Sequence, residues 1–279
     1  MKKFNVGIQL YGLRNTMKED FEGTLRALAD MGYEYVEFAG YYGKSSEELK
    51  AVLDKYGLKC ISVHQGPDFF DADPDAAAEF LRGFGVKYSV IPYCPVENLA
   101  GSPDWESTLA RFRRLADVLH AHGMMLGYHN HDFEFERYEG KYIHDYIVEG
   151  IPSDRFFPQL DTCWVHYAGI KPESKIYEFC GRVPVVHLKD FVCKNLGAGP
   201  VYDLIDNDGN PMKGGSRADA GFEFRPLGQG LQDFATILKA CEECGTDTVI
   251  VEQDNVYDGM TELEAARISR EYLRNTFSI

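Results

Sequence analysis

The sequence predicts a closed (β/α)8 barrel, the TIM-barrel architecture, as a single domain over residues 1–279. Three observations carry that expectation. Short apolar runs alternate with amphipathic stretches from end to end, and eight of the runs have strand length. Eight strand–helix units of about 35 residues each fill a chain of 279 residues. Several runs end on a carboxylate or an imidazole, and a parallel barrel gathers its strand ends on one face.

The predicted strands are 5–10, 35–38, 59–64, 88–93, 125–131, 156–161, 185–189 and 248–252. Each is a short run of β-branched, aromatic or aliphatic residues, as expected of strands buried on both faces. Helical patterns lie between them. Phe21, Leu25, Leu28 and Ala29 form one stripe that stops at Gly32. Ser45-Ser46-Glu47-Glu48 is a capped start for a helix ending near Tyr56-Gly57. A long helix runs from 104 to 122, with Leu109, Phe112, Leu115, Ala116 and Leu119 on one side. The last two helices are predicted over 232–244 and 261–277. Strands alternating with helices imply parallel pairing and right-handed crossovers. The stretches after strands five and six carry the weakest helical patterns.

Composition narrows the partners. There are 29 Lys and Arg against 44 Asp and Glu, a net charge of −15. Such a surface repels phosphate backbones and anionic membranes, so neither a nucleic acid nor a membrane is expected as partner. It leaves a small neutral substrate open, and self-association into a homo-oligomer as well. Seven scattered cysteines, an odd number, are read as reduced thiols of a cytoplasmic protein. Cys241 and Cys244 form a CxxC with no second pair. The basic start Met1-Lys2-Lys3 is followed by Asn5 and Gln9, which do not suit a signal peptide.

The strand ends carry the chemistry. Glu134, Asp161, His187 and Glu252 form a mixed oxygen and nitrogen set, and such sets suit Mn²⁺, Mg²⁺, Co²⁺ or Zn²⁺. Acids gathered at the bottom of a pocket repel one another unless a cation joins them. The expected cofactor is therefore one divalent metal, with Mn²⁺ first. Each residue alone has a plainer reading: an Asp at a strand end commonly caps the next helix. His129 and His131 sit two apart on strand five and share a face. Either can bind metal or move a proton, and His129 is the substitute ligand if Glu134 falls short. Glu252 is also a candidate for proton transfer. His64 and Glu37 end strands three and two and should line the same pocket. Trp164 could stack on a sugar face, or pack between barrel and helix. Lys189, at the end of strand seven, joins these as a substrate-binding candidate.

One connection is unusually long. About 40 residues rich in Gly, Asp and Asn separate Lys189 from the helix near Gln232, and loops of that length in compact domains commonly serve as lids. A cover over the site is expected at 191–226.

In its motifs the chain resembles the sugar phosphate isomerase/epimerase family, the xylose isomerase-like barrels. The likeness lies in Tyr128-His129-Asn130-His131-Asp132-Phe133-Glu134-Phe135, Leu160-Asp161-Thr162-Cys163-Trp164, Val186-His187-Leu188-Lys189-Asp190-Phe191, Pro226-Leu227-Gly228-Gln229-Gly230 and Val251-Glu252. It spans the whole chain. It implies a divalent metal held by Glu, Asp, His and Glu from four strands. Asp161, His187 and Glu252 take three of those places, and where many relatives carry the first Glu this chain has His129. The resemblance also includes inosose dehydratase-like and 3-keto-glycoside-processing proteins that share the His-Asn-His pattern.

A metal chelated by a carbonyl and its neighbouring hydroxyl acidifies the C–H between them and stabilises the resulting enediolate. Returning the proton isomerises or epimerises the sugar; losing a β-leaving group dehydrates it or cleaves a glycoside. The sequence therefore points to an isomerase or epimerase of a sugar or sugar derivative, with a lyase or dehydratase on a keto-sugar, keto-inositol or 3-keto-glycoside as the alternative. No Gly-rich loop leads into a helix to hold phosphate, so an unphosphorylated carbohydrate is expected. An abasic-site endonuclease of the same barrel type would need a basic DNA face, which a chain at −15 lacks. A sugar-binding barrel without catalysis is the remaining alternative.

Overall fold

A computed structural model describes residues 4–197, 199, 220–257 and 259–279. Eight parallel strands close into a barrel in chain order: β1 (Asn5–Gln9), β2 (Tyr35–Phe38), β3 (Lys59–His64), β4 (Tyr88–Ile91), β5 (Met125–His129), β6 (Phe156–Asp161), β7 (Val185–Leu188) and β8 (Thr248–Val251), with β8 pairing back onto β1. The predicted fold class is the observed one. Some strands stop earlier than their apolar runs. β4 ends at Ile91, before Pro92, which has no N–H to continue the ladder. β5 ends at His129, not His131.

Local chemistry sets the helix ends. Ser45 and Glu48 cap the helix Ser46–Tyr56 reciprocally, and Thr261 and Glu264 do the same for Glu262–Tyr272. Gly32 and Gly57 close their helices at φ of 93° and 67°, where a side chain would be strained. The long helix spans Trp105–Ala121 and buries its predicted face. A helix at Pro74–Gly83 fills the unit between β3 and β4. After β5 and β6 the helices are short: Ile143–Gly150, then Thr162–Tyr167 and Pro172–Glu178. The helix before β8 is Phe234–Glu243.

Most of the core lies between strands and helices. Inside the barrel, Val90, Phe157, Val185 and Ile250 form a separate floor. Two glycines make room for it. A Cβ on Gly127 would fall 2.7 Å from the Phe157 ring, and one on Gly7 would fall 2.5 Å from Ile250 Cδ1. Everything above this floor belongs to the carboxyl-terminal face.

Cys180 and Cys244 are joined in a disulfide. This corrects the expectation that all seven cysteines are free thiols. Cys180 lies just beyond the helix Pro172–Glu178 and Cys244 just beyond Phe234–Glu243, and the two helices pack together. Cys241 of the CxxC is a buried thiol. Asp190–Val192 and Glu223–Arg225 pair as an antiparallel ribbon at the two ends of the predicted cover. Residues 200–219, the middle of that 191–226 segment, lie outside the described residues. Among the described residues no helix is long and apolar enough to cross a membrane.

Candidate active site

The site is built by alternation. Inward positions one layer above the floor are polar, and the parallel register sets them side by side: Gln9 beside Glu37, Glu37 beside Ser62, His129 beside Gln159, and Asp161 beside His187. All seven are sealed from solvent.

Four donors close in space. His129, Asp161, His187 and Glu252 each offer one atom, and these atoms lie within 4.8 Å of one another. His187 Nδ1 is 2.7 Å from Glu252 Oε2. His129 Nε2 points at Asp161 Oδ2 (3.6 Å) and Glu252 Oε2 (3.9 Å), while its Nδ1 contacts Gln159 Oε1 at 3.0 Å. Asp161 Oδ1 accepts the N–H of Cys163 (2.8 Å) and of Trp164 (3.4 Å), so this residue caps its helix as well. Asp161 Oδ2 is buried and has no hydrogen-bond partner.

Glu134 stands outside this group, and His129 takes the strand-five place. The reason is the early end of β5. His129 faces into the barrel, and Tyr128 faces outward toward Phe112 on the long helix. Residues Phe133–Phe135 then form a tight turn that sends Glu134 back to the outward side. There its carboxylate accepts the Tyr128 hydroxyl and the His131 N–H, both at 2.7 Å. Burial pushes its carboxyl up to about 7 against those two bonds.

The other candidates surround the cluster. Glu37 is crowded by donors. Its Oε1 lies 2.8 Å from His187 Nε2, 3.1 Å from His64 Nε2 and 3.0 Å from Gln9 Nε2. Its Oε2 accepts from Ser62 and from Gln159 Nε2 (2.8 Å). The His187 Nε2 approach lacks the alignment of a hydrogen bond. His64 stacks on His187 with ring centres 5.3 Å apart. Lys189 Nζ lies 3.3 Å from both Asp161 Oδ2 and Glu252 Oε2 and 2.8 Å from Asp254 Oδ1. His131 sits next to His129, ring centres 5.2 Å apart, and stacks on Phe133. Trp164 is buried, one ring face stacked on Phe222 at 5.3 Å.

The same burial produces opposite protonation tendencies. Burial works against the charge of Glu37, but His64, His187 and Ser62 hold its carboxyl down to about 2. Burial pushes Asp161 up to about 7, with Glu252 adding and Lys189 opposing. His187 rises to about 10, because Glu37 and Glu252 outweigh its burial. His129 falls well below its ordinary value through burial and the neighbouring histidines. His131 is driven to about 3 by burial and Lys189.

Sequence reasoning missed Gln9, Ser62, Gln159 and Asp254. The signal for Gln159 was available: it lies two residues before Asp161 on one strand and so shares its face. A neutral amide in an apolar run carries no charge signal, which is why it passed as strand filler.

The chain is thus a parallel barrel with a buried set of oxygen and nitrogen donors at its carboxyl-terminal face, a set that could hold one metal ion. The chain belongs to the xylose isomerase-like TIM barrel family, whose model matches residues 25–276. It is similar to an inosose dehydratase of Geobacillus kaustophilus, 25% identical over 189 residues, an alignment that covers 60% of this chain and 60% of that protein. A solved sugar phosphate isomerase/epimerase from Parabacteroides distasonis shares the fold with a TM-score of 0.76 and 23% identity, covering 98% of this chain and 94% of that one. A solved IOLI protein with a bound zinc atom shares it at a TM-score of 0.70 and 18% identity, covering 98% of both chains.

Proposed function

We propose that this protein is a divalent-metal-dependent isomerase or epimerase that removes and returns the proton beside the carbonyl of an unphosphorylated sugar or sugar derivative. One observation carries the reading. Asp161 Oδ2 is sealed from solvent without a hydrogen bond, among three further donors within 4.8 Å. A buried carboxylate oxygen with no hydrogen bond, and with one ammonium shared with two other acids, is under-satisfied, and a cation there removes the cost. His129, Asp161, His187 and Glu252 are the residues that would hold it, with Mn²⁺ the first candidate. A divalent cation so held would polarise a carbonyl and its neighbouring hydroxyl and acidify the adjacent C–H.

The chain's own residues handle the proton. His131 stands beside the donor set, its ring centre 5.2 Å from that of His129, and is the group assigned to accept it. Glu252, held ionised by Lys189 and His187 against its burial, borders the same space as the second group able to accept a proton, and the proton that has been accepted is the one returned to substrate. His64, Glu37 and Gln159 fix the imidazoles of His187 and His129 from behind. Lys189 is assigned to substrate hydroxyls and the Trp164 ring to stacking on the sugar face. Return of the proton to the opposite face of the same carbon gives the epimer, and return to the neighbouring carbon gives the isomer.

Elimination is a second reading, favoured by Lys189. A cation 3.3 Å from two site carboxylates can neutralise a departing oxygen, which a lyase or dehydratase requires and a simple isomerase does not. The relatedness to an inosose dehydratase supports the same reading.

The test is to strip the protein with chelator, reload it with Mn²⁺, and incubate it in D₂O with unphosphorylated ketoses, keto-inositols and 3-keto-glycosides. Deuterium should enter next to the carbonyl only in the loaded protein. Exchange with retained carbon skeleton and oxygen count indicates an isomerase or epimerase; loss of water or aglycone indicates the lyase. Equal exchange with and without metal would refute the reading.

A further inference from the structure

Lys189 is an unusual neighbour for a metal site. Its ammonium is 1% exposed and makes three carboxylate contacts: Asp161 Oδ2 and Glu252 Oε2, each at 3.3 Å, and Asp254 Oδ1 at 2.8 Å. It also lies 5.2 Å from the Trp164 ring centre and 5.0 Å from that of Phe224, so the ammonium itself rests against two aromatic rings. The two longer contacts go to carboxylates of the four-donor set. The shortest goes to a carboxylate outside that set.

We propose that Lys189 is the resident counter-cation of the metal site: it neutralises Asp161 and Glu252 when no divalent ion is held, and releases them to the metal by falling back on Asp254. This rests on the reading that the four donors bind a divalent cation. The physical case has two parts. Buried carboxylates at one point need positive charge in the metal-free protein too, and beside the His187 imidazole on Glu252 the ammonium is placed to supply it to both Asp161 and Glu252. A dication and an ammonium sharing the same two carboxylates repel each other, so metal binding must work against Lys189 unless the ammonium has another partner. Asp254 is that partner, already the nearest of the three. Lys189 thereby makes metal binding an exchange of cations, not a simple addition.

The experiment measures Mn²⁺ binding to chelator-stripped full-length protein by calorimetry and by thermal melting, without any turnover. In Lys189→Met, an apolar side chain of similar length keeps the aromatic packing but removes the charge. Its metal-free form should melt below wild type, its gain in melting temperature on adding Mn²⁺ should be larger, and it should bind Mn²⁺ at least about tenfold tighter. Lys189→Arg keeps the charge and should bind no tighter than wild type. Asp254→Asn keeps the fold of the loop but removes the fallback, and should weaken Mn²⁺ about tenfold. If Lys189→Met does not fold, Asp254→Asn alone decides. Wild type that binds Mn²⁺ while neither variant changes its affinity overturns the exchange. Wild type that binds no Mn²⁺, Co²⁺ or Zn²⁺ overturns the metal reading itself, and the exchange with it.

Discussion

Replacing Asp190 with Asn should loosen the 226–232 segment without touching the donor set. Asp190 follows β7, and its buried carboxylate accepts four backbone N–H groups. Oδ1 takes Phe191 (2.9 Å) and Gln232 (3.2 Å); Oδ2 takes Gly228 and Gly230, both at 2.9 Å. These bonds tie the 226–232 segment to the base of the ribbon that carries Phe224. The fit is close enough to require glycine at 230, where a Cβ would fall 2.2 Å from Asp190 Oδ1. An Asn amide can accept on only one side. Its NH₂ would then face two N–H donors, and each lost bond to a charged acceptor is worth about 1.5–3 kcal/mol. Part of that loss is recovered, because burial pushes the Asp190 carboxyl up despite its four donors, so the charge itself carries a cost. A net loss of about 3 kcal/mol follows. At about 2.1 cal/mol/K per residue over 279 residues, that lowers the melting temperature by about 5 °C. Calorimetric melting checks the magnitude, and amide exchange at 228–232 should rise before that of the barrel strands. A melting point within about 1 °C of wild type would show that these four bonds do not hold the segment.

Three further outcomes are expected. Gly127→Ala pushes a methyl into Phe157 (2.7 Å) and Val90 (3.0 Å) on the barrel floor and should cost about 1–3 kcal/mol by denaturant unfolding, with Mn²⁺ binding intact once folded. Glu134 has a folded pKa raised to about 7 from 4.5, so its contribution to stability is complete below 4.5 and is lost as pH rises through 7; Glu134→Gln should therefore flatten the fall in stability between those values in a series of melts, and an unchanged pH profile would count against it. His129→Asn should lose Mn²⁺ affinity by an order of magnitude or more in calorimetry, as expected of a ligand, whereas retained metal with lost deuterium exchange would return His129 to proton transfer.

The barrel was legible because its signal is repeated eight times. Three strand ends also carried their chemistry in plain view: Asp161, His187 and Glu252 each close an apolar run. The strand-five position was harder. Tyr128 to Glu134 reads as one continuous segment with two competing candidates, and only the stop at His129 decides which faces inward. Nothing in the local sequence marks that stop, because the turn at Phe133–Phe135 is held by Glu134's own bonds to Tyr128 and His131. The short helices after β5 and β6 gave weak patterns for a related reason. Thr162–Tyr167 begins directly on Asp161 and buries nearly every side, leaving no polar face to set a period. The Cys180–Cys244 pair joins residues 64 apart and depends on how two helices pack, which spacing alone does not encode.

The two sides of the site differ in kind. Glu37, on the β1–β3 side, is as deeply buried as Asp161, yet its carboxyl is held at about 2 while that of Asp161 rises to about 7. Burial alone cannot separate them. Glu37 is met on both oxygens by Gln9, Ser62, His64, Gln159 and His187, whereas Asp161 Oδ2 has no hydrogen bond and a single ammonium shared with two other acids. A satisfied carboxylate gains little from a new cation; an under-satisfied one gains most. Glu37 is therefore the anchor that orients His187, and the β5–β8 side is where a cation and a substrate oxygen have the most to offer. His129 fits that division. A carboxylate in its place would add a fourth acid to a corner already holding Asp161, Glu252 and Asp254 against Lys189 and the His187 imidazole, and a neutral imidazole supplies a donor atom without that repulsion.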